Sequence, residues 1–299
     1  MDGWGVAGAI IGWDQPGLLE HCEHERTDPA WLAKQWADPT SRLLSVDANG
    51  GIGPVGEGGN LIGLPTEGDF DEQRHFLLGV LDGVAVFAQA GESEPSVGLR
   101  ALLPVGGRAE RELAVTAAGL VNWHRTSPHC ATCGTLTIVR TGGLVRYCAT
   151  CQRERFPRTD PAIIVAVIDA DDRLLLGHQA SWPAERVSIL AGFVSAGESL
   201  EQAVYREVGE ESGVRLSAVR YLGSQPWPFP RSLMIGFAAR ADVSQISVDK
   251  VELDRAAWFT REELALAEAS GQLVLPGPAS IAHLLIQQWR EGTLPPPEG

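Results

Sequence analysis

The stretch Gly192–Val214 reads GFVSAGESLEQAVYREVGEESGV and concentrates more chemistry than any other part of the chain. Ser199 followed by Gln202 is a capping-box pair, which predicts a helix starting near residue 200. Gly213 suits the left-handed position just past the end of that helix. Leu200, Ala203, Val204 and Val208 give it a face to bury. Glu207 stands three residues before Glu210 and four before Glu211, so their carboxylates lie on neighbouring faces. Such carboxylates repel one another unless cations lie between them, and hard oxygen donors select Mg²⁺ or Mn²⁺ over zinc. Glu198, in the loop entering the helix, offers a fourth carboxylate. Arg206 reads as the internal counter-ion that holds a glutamate in place. The competing reading is an amphipathic helix with a solvated acidic face.

Outward from this stretch, 299 residues leave room for two domains or three small ones, and 44% hydrophobic with 21% charged residues is ordinary for a globular chain. A net charge of -14 argues against general affinity for nucleic-acid backbones. It does not exclude a nucleotide substrate, because bound metal ions reverse the local sign. No apolar run reaches the length of a membrane span. Asp2 and the lack of a basic leader speak against secretion, the C-terminal PPPEG carries no targeting signal, and a cytoplasmic location is expected.

The N-terminal part mixes short apolar runs, Arg42–Val46, Phe76–Val80 and Val84–Phe87, with a turn at Leu81-Asp82-Gly83. It reads as a small α/β or mostly β domain. Gly51, Gly53 and Gly56 spell a dinucleotide-binding fingerprint, but Pro54 and the following GEGGN deny it the helix it needs, so a glycine loop is expected. His21-Cys22-Glu23-His24 is metal-capable, yet without a second cluster it reads as an exposed acidic turn. Arg108–His124 turns helical, with Leu113, Ala117, Leu120 and Val121 on one stripe.

Cys130-x-x-Cys133, fourteen residues and Cys148-x-x-Cys151 form two knuckles that read as a structural Zn²⁺ ribbon, with an iron–sulfur centre or a redox pair as alternatives. Such ribbons often bind nucleic acid, and Arg140, Arg146, Arg153, Arg155 and Arg158 lend that some support. Ala162–Ile168 then predicts a buried strand, 169–172 a turn and Arg173–Leu176 the returning strand of a hairpin. Ser188–Leu190 follows, and then the glycine loop at Gly192. Beyond the helix, Ser224–Ser232 reads SQPWPFPRS, in which Pro226, Pro228 and Pro230 alternate with Trp227 and Phe229. This predicts a stiff loop with flat apolar faces suited to a planar ring; packing into the core is the alternative.

The ribbon, the box at 192–214 and SQPWPFPRS together resemble, in order, the NADH pyrophosphatase (NudC-type) family of Nudix hydrolases over roughly residues 108–290. The box matches the Nudix pattern at Gly192, Glu198, Arg206, Glu207, Val208, Glu210, Glu211, Gly213 and Val214. The first hundred residues fit by position alone. The resemblance implies a mixed α/β fold: an N-terminal α/β domain (1–125), a zinc ribbon (126–157) and a Nudix α/β/α sandwich (158–299). It implies hydrolysis of the pyrophosphate of NADH or NAD⁺ to a nicotinamide mononucleotide and AMP, and removal of NAD caps from RNA. Glu207, Glu210 and Glu211, with Glu198 close by and Glu252 downstream, would bind Mg²⁺ or Mn²⁺; Glu252 or a box glutamate would act as base. Phe193 would stack on the substrate base, with Ser224, Gln225, Pro226, Trp227, Pro228, Phe229, Pro230 and Ser232 around it and the Ala282 backbone in contact. Phe156 stands where related members carry a tyrosine that reaches the partner's site, so a homodimer is implied; the missing hydroxyl removes any hydrogen bond made there. Two other readings stay open. One is a Nudix hydrolase of ADP-ribose or nucleoside diphosphate sugars, against which SQPWPFPRS argues. The other is a zinc-ribbon nucleic-acid-binding regulator, which the complete set of box glutamates disfavours.

Overall fold

The computed structural model describes residues 13–297 apart from 58, 59, 93 and 249. Asp2 and the leader region, Gly58 and Gly59 of the glycine-rich stretch, and the last two residues of PPPEG lie outside the described residues. The chain divides into two compact units. One holds residues 16–159 with 228–231; the other holds 160–227 and 232–297 with 13–15.

In the first unit, helix α1 (Pro29–Trp36) precedes strands β1 (Arg42–Val46), β2 (Gly51–Gly53), β3 (Leu64–Pro65), β4 (Phe76–Leu81), β5 (Val84–Ala90) and β6 (Val97–Gly98). The sheet order is β4-β5-β1-β2-β6 with β3 on β1. Asp82 and Gly83, both at positive φ, make the β4–β5 turn that the sequence predicts. The glycine loop expected at 51–56 is partly strand, since Gly51–Gly53 pairs with both β1 and β6. The short helix α2 (Leu99–Leu102) leads to α3 (Arg108–Thr126), which buries Leu113, Ala117, Leu120 and Val121 as their spacing predicts. The cysteine segment adds a three-stranded antiparallel sheet of β7 (Ile138–Arg140), β8 (Val145–Cys148) and β9 (Arg153–Arg155).

The second unit is built on β10 (Asp160–Ile168). Side chains alternate across a strand, so Ile164, Ala166 and Ile168 enter one hydrophobic cluster and Ile163, Val165 and Val167 the opposite one. That two-sided burial explains the unbroken apolar run. Strands β11 (Leu174–His178), β12 (Leu190–Phe193), β13 (Arg215–Trp227), β14 (Ser232–Val243) and β15 (Arg255–Phe259) complete the sheet, in the order β13-β14-β10-β11-β15 with β12 on β10. Helix α4 (Leu200–Ser212) covers one face through Ala203, Val204 and Val208. Helices α5 (Arg261–Ala269) and α6 (Ile281–Arg290) cover the other, through Leu264 and through Ile281, Leu285, Ile286 and Trp289. The result is a three-layer α/β/α sandwich.

Three local expectations change. The β10–β11 hairpin opens at once, with only Ile168 and Leu174 in register. Strand β12 takes up β10 from Ala162 to Val165, and β11 pairs along its length with β15. Gly192 lies in strand β12 rather than in a loop. Ser224–Trp227 likewise is strand, the end of β13, and only Pro228–Arg231 turns back. Strand β13 is an edge of the sheet, where a proline's missing N–H costs no ladder hydrogen bond. Among the described residues, no helix is long and apolar enough to cross a membrane.

Candidate active site and cysteine cluster

Helix α4 begins at the predicted capping box: the Ser199 hydroxyl accepts from Gln202 N–H at 3.1 Å, and the Gln202 side chain accepts from Ser199 N–H at 2.9 Å. It ends at Gly213, whose φ of 69° is left-handed. These caps set the phase of the helix, and that phase turns Glu207 and Glu211 inward, 7% and 2% exposed. Strand β12 runs alongside. At Gly192 a Cβ would lie 2.0 Å from the Glu207 carboxyl carbon, so only glycine leaves the carboxylate its place.

Arg206 organises the surrounding acids. Its Nε donates to Glu198 Oε1 at 2.6 Å, its Nη2 to Glu198 Oε2 at 2.8 Å and to the Phe193 carbonyl at 3.0 Å. Its Nη1 reaches Glu207 at 2.8 Å and Glu210 at 3.1 Å. Glu198 also accepts from Ser195 N–H at 2.9 Å. The Arg206 hydrogen bonds foremost, and the Ser195 N–H after them, hold the Glu198 carboxyl down to about 2. Burial pushes Glu207 up from the ordinary carboxylate value, against the pull of Arg206 and with added repulsion from Glu252 and Glu210.

Glu207, Glu211 and Glu252 each offer an oxygen within 4.8 Å of the others, Glu252 arriving from the exposed loop before β15. Three carboxylates gathered this closely, one of them cradled by a glycine, are a donor set for a hard divalent cation. Glu198 and Glu210 stand outside that trio: both oxygens of Glu198 are taken by Arg206 and Ser195, while Glu210 is 65% exposed at the side chain and lies on Arg206.

The remaining predicted residues fall in several places. Phe193 is 60% exposed, directly after Gly192. Gln225 is 1% exposed, and its amide bridges two backbone groups, donating to Ala279 O at 2.7 Å and accepting from Ile281 N–H at 2.7 Å. It thereby anchors the start of α6, where the Ala282 side chain is 4% exposed in the core. Ser224, Pro226, Trp227 and Ser232 are half-buried on β13 and β14. In the first unit, Pro228 is buried, Phe229 lies with the Arg100 guanidinium 4.0 Å from its ring centre, and Pro230 is exposed. Phe156, after β9, is 60% exposed. Two features were not readable from residue order: the Gly192–Glu207 cradle and the bond from Arg206 to the Phe193 carbonyl. Both depend on β12 running beside α4, and the trace they leave in the sequence is a glycine fifteen positions before a glutamate of the box.

Cys130, Cys133, Cys148 and Cys151 also converge, their sulfurs all within 4.8 Å. Cys133 and Cys148 sulfurs are 3.5 Å apart, Cys130 and Cys151 sulfurs 3.9 Å. Arg155 Nη2 donates to Cys130 Sγ at 3.3 Å. That bond first, then the N–H groups of Thr132 and Cys133, draws the Cys130 thiol down to about 5. Four thiolate donors at this spacing fit a tetrahedral zinc ion. Among the described residues these are the two metal-capable clusters, and His21-Cys22-Glu23-His24 forms none.

Comparison with known proteins agrees with this geometry. The NUDIX domain family matches residues 158–275. The NAD-capped RNA hydrolase NudC of Mycobacterium bovis is 39% identical over 290 residues, covering 90% of this chain and 92% of the relative. Its Mycobacterium tuberculosis counterpart is 38% identical with the same coverage. The human NAD-capped RNA hydrolase NUDT12 is 40% identical over 194 residues, 60% of this chain and 42% of that protein. With the acidic helix, the four-cysteine ribbon and nearly full-length similarity in one polypeptide, the chain belongs to the NudC-type Nudix hydrolases.

Proposed function

We propose that this chain hydrolyses the pyrophosphate of NADH and NAD⁺, yielding AMP and the corresponding nicotinamide mononucleotide, and cleaves the same bond in the NAD cap of RNA, releasing nicotinamide mononucleotide and leaving a 5′-monophosphate on the RNA. The observation that carries this reading is the convergence of Glu207, Glu211 and Glu252 within 4.8 Å. Mg²⁺ or Mn²⁺ held by these carboxylates would supply the positive charge that offsets the pyrophosphate in the transition state. The relatives named as NAD-capped RNA hydrolases support the substrate class.

The chain's own residues do the rest. Glu252, the exposed member of the trio, takes the proton of the attacking water. Arg206 favours the charged form of Glu207 against its burial and holds Glu198 and the Phe193 carbonyl in one network. Phe193 offers its exposed ring to the substrate base, so that stacking places the pyrophosphate at the carboxylates. Gln225 fixes the segment from Ala279 to Ala282 whose backbone borders the substrate. Phe156 serves the partner's site in a homodimer, Zn²⁺ on the four cysteines folds the ribbon, and the chain works in the cytoplasm. The same reading divides it into an N-terminal α/β domain (1–125), a zinc ribbon (126–157) and the hydrolase domain (158–299).

The test compares kcat/KM for NADH, NAD-capped RNA and ADP-ribose with Mg²⁺ and with Mn²⁺. NADH and capped RNA are expected to exceed ADP-ribose by at least about tenfold, the value of a site built for both halves of the dinucleotide. Preference for ADP-ribose would overturn the substrate assignment.

A further inference from the structure

Glu252 sits on a loop without regular structure, next to Val251, which is 84% exposed. Its carboxylate nevertheless lies with Glu207 and Glu211. One and two residues further on, the loop is tied to strand β11. Leu253 is 3% exposed and rests over Gly177 of β11, where a Cβ would lie 2.9 Å from a Leu253 methyl. The Asp254 N–H donates to His178 O at 3.1 Å. The Asp254 carboxylate meets His178 Nδ1 at 2.6 Å.

His178 is 4% exposed, and its other nitrogen is also engaged, Nε2 lying 3.1 Å from the Pro183 carbonyl in the loop after β11. The ring of Trp182 stands edge-on to it, with centroids 6.4 Å apart. Both ring nitrogens therefore face oxygen acceptors on separate loops, and the imidazole cannot turn without losing one. The metal-capable trio does not include it. A buried, doubly engaged imidazole at the end of a strand is a rigid post, and the loop bearing Glu252 is fastened to it.

We infer that His178 is a positioning residue for Glu252: through Asp254 it keeps the Glu252 carboxylate beside Glu207 and Glu211. This rests on the reading of that trio as the hydrolytic site. A displacement of about 1 Å at a reacting group costs on the order of 100-fold in rate, so the post matters without touching substrate.

The experiment uses the full chain and the variants His178→Gln, His178→Asn, Glu252→Gln and the His178→Gln/Glu252→Gln double. It records kcat and KM for NADH, Mn²⁺ affinity from the paramagnetic resonance of free Mn²⁺, and the thermal midpoint. The asparagine amide falls near the place of Nδ1 and keeps the donor to Asp254; the glutamine amide falls near Nε2 and keeps only Pro183. His178→Gln is expected to lower kcat by roughly 10- to 100-fold, with KM changed less than about twofold, and to weaken Mn²⁺ binding. His178→Asn should retain most of both. In the Glu252→Gln background, His178→Gln should add less than about a threefold loss, because the route through Glu252 is already gone. If the two losses multiply in full, or His178→Gln lowers only the thermal midpoint, the inference is wrong. If Glu252→Gln alone changes neither turnover nor Mn²⁺ affinity, the assignment of Glu252 fails and takes the inference with it. Should His178→Gln not fold, Asp254→Ala, whose side chain is 45% exposed, puts the same question from the other side of the contact.

Discussion

Gly192 and Glu207 stand so close that a Cβ on the first would lie 2.0 Å from the carboxyl carbon of the second. The glycine is therefore a space requirement set by the neighbouring helix. Gly192→Ala must push Glu207 out of the trio or push β12 away from α4. We expect kcat to fall on the order of 100-fold and stability to drop by about 1–3 kcal/mol, the range for overpacking a tight contact. Steady-state kinetics and urea unfolding check both; an active, stable alanine variant would mean that the cradle is slack.

Arg206 joins Glu198, Glu207, Glu210 and the Phe193 carbonyl through one planar group. Lysine keeps the charge but cannot divide it over five oxygens. Arg206→Lys should lower kcat/KM by about tenfold or more. The pair with Glu198 also carries an acid dependence. The folded carboxyl is held at about 2, below its unfolded value, so its stabilisation is present at neutral pH and fades as pH falls through that range. Arg206→Ala should flatten this part of the acid limb in unfolding curves recorded between neutral and strongly acid pH.

His124 predicts a second, milder acid effect. It is 7% exposed, its Nε2 lies 2.7 Å from Gly143 O and its Nδ1 faces Arg146 Nη1 at 2.9 Å, which fixes a neutral ring as donor to one and acceptor from the other. Burial foremost, with the Arg146 charge helping against the Gly143 bond, pushes it down to about 4. The unfolded ring takes up a proton at higher pH than the folded one, so stability is full above the unfolded value of about 6.5 and is lost as pH falls toward 4, by roughly 3 kcal/mol in all. His124→Gln, which does not titrate, should remove most of the difference between urea midpoints at the two ends of that window.

The cysteine cluster should behave as a folding metal site. Elemental analysis is expected to find one zinc per chain, and none in Cys148→Ser, whose sulfur is fully buried beside Cys133. Removing zinc with a chelator should unfold β7–β9 and lower the thermal midpoint, because three short strands without a core of their own depend on the metal. A metal-free protein with unchanged midpoint would contradict this.

Local patterns are legible in the residues themselves. The caps of α4 at Ser199 and Gly213, the two-faced burial of Ala162–Ile168 and the cysteine knuckles all rest on residues a few positions apart. Features that depend on partners distant in the chain are not. Pro226 reads as a loop residue, but an edge strand tolerates it, so β13 runs on to Trp227. The spacing around Glu198 suggests a metal ligand, but not that Arg206, folded back from α4, donates to both of its oxygens. Glu252 lies with Glu207 and Glu211 on a loop whose next residues contact β11, and periodicity holds no record of that.

The central claim is that the trio of Glu207, Glu211 and Glu252 drives pyrophosphate cleavage. Its most direct test is chromatography of the products from NADH and Mn²⁺, for wild type and for Glu211→Gln. Equal amounts of AMP and reduced nicotinamide mononucleotide are predicted for the wild type, with a loss of roughly 1,000-fold or more in the variant, on the scale of removing a principal source of transition-state charge stabilisation. Intact NADH with the wild-type protein, or undiminished cleavage by Glu211→Gln, would contradict it.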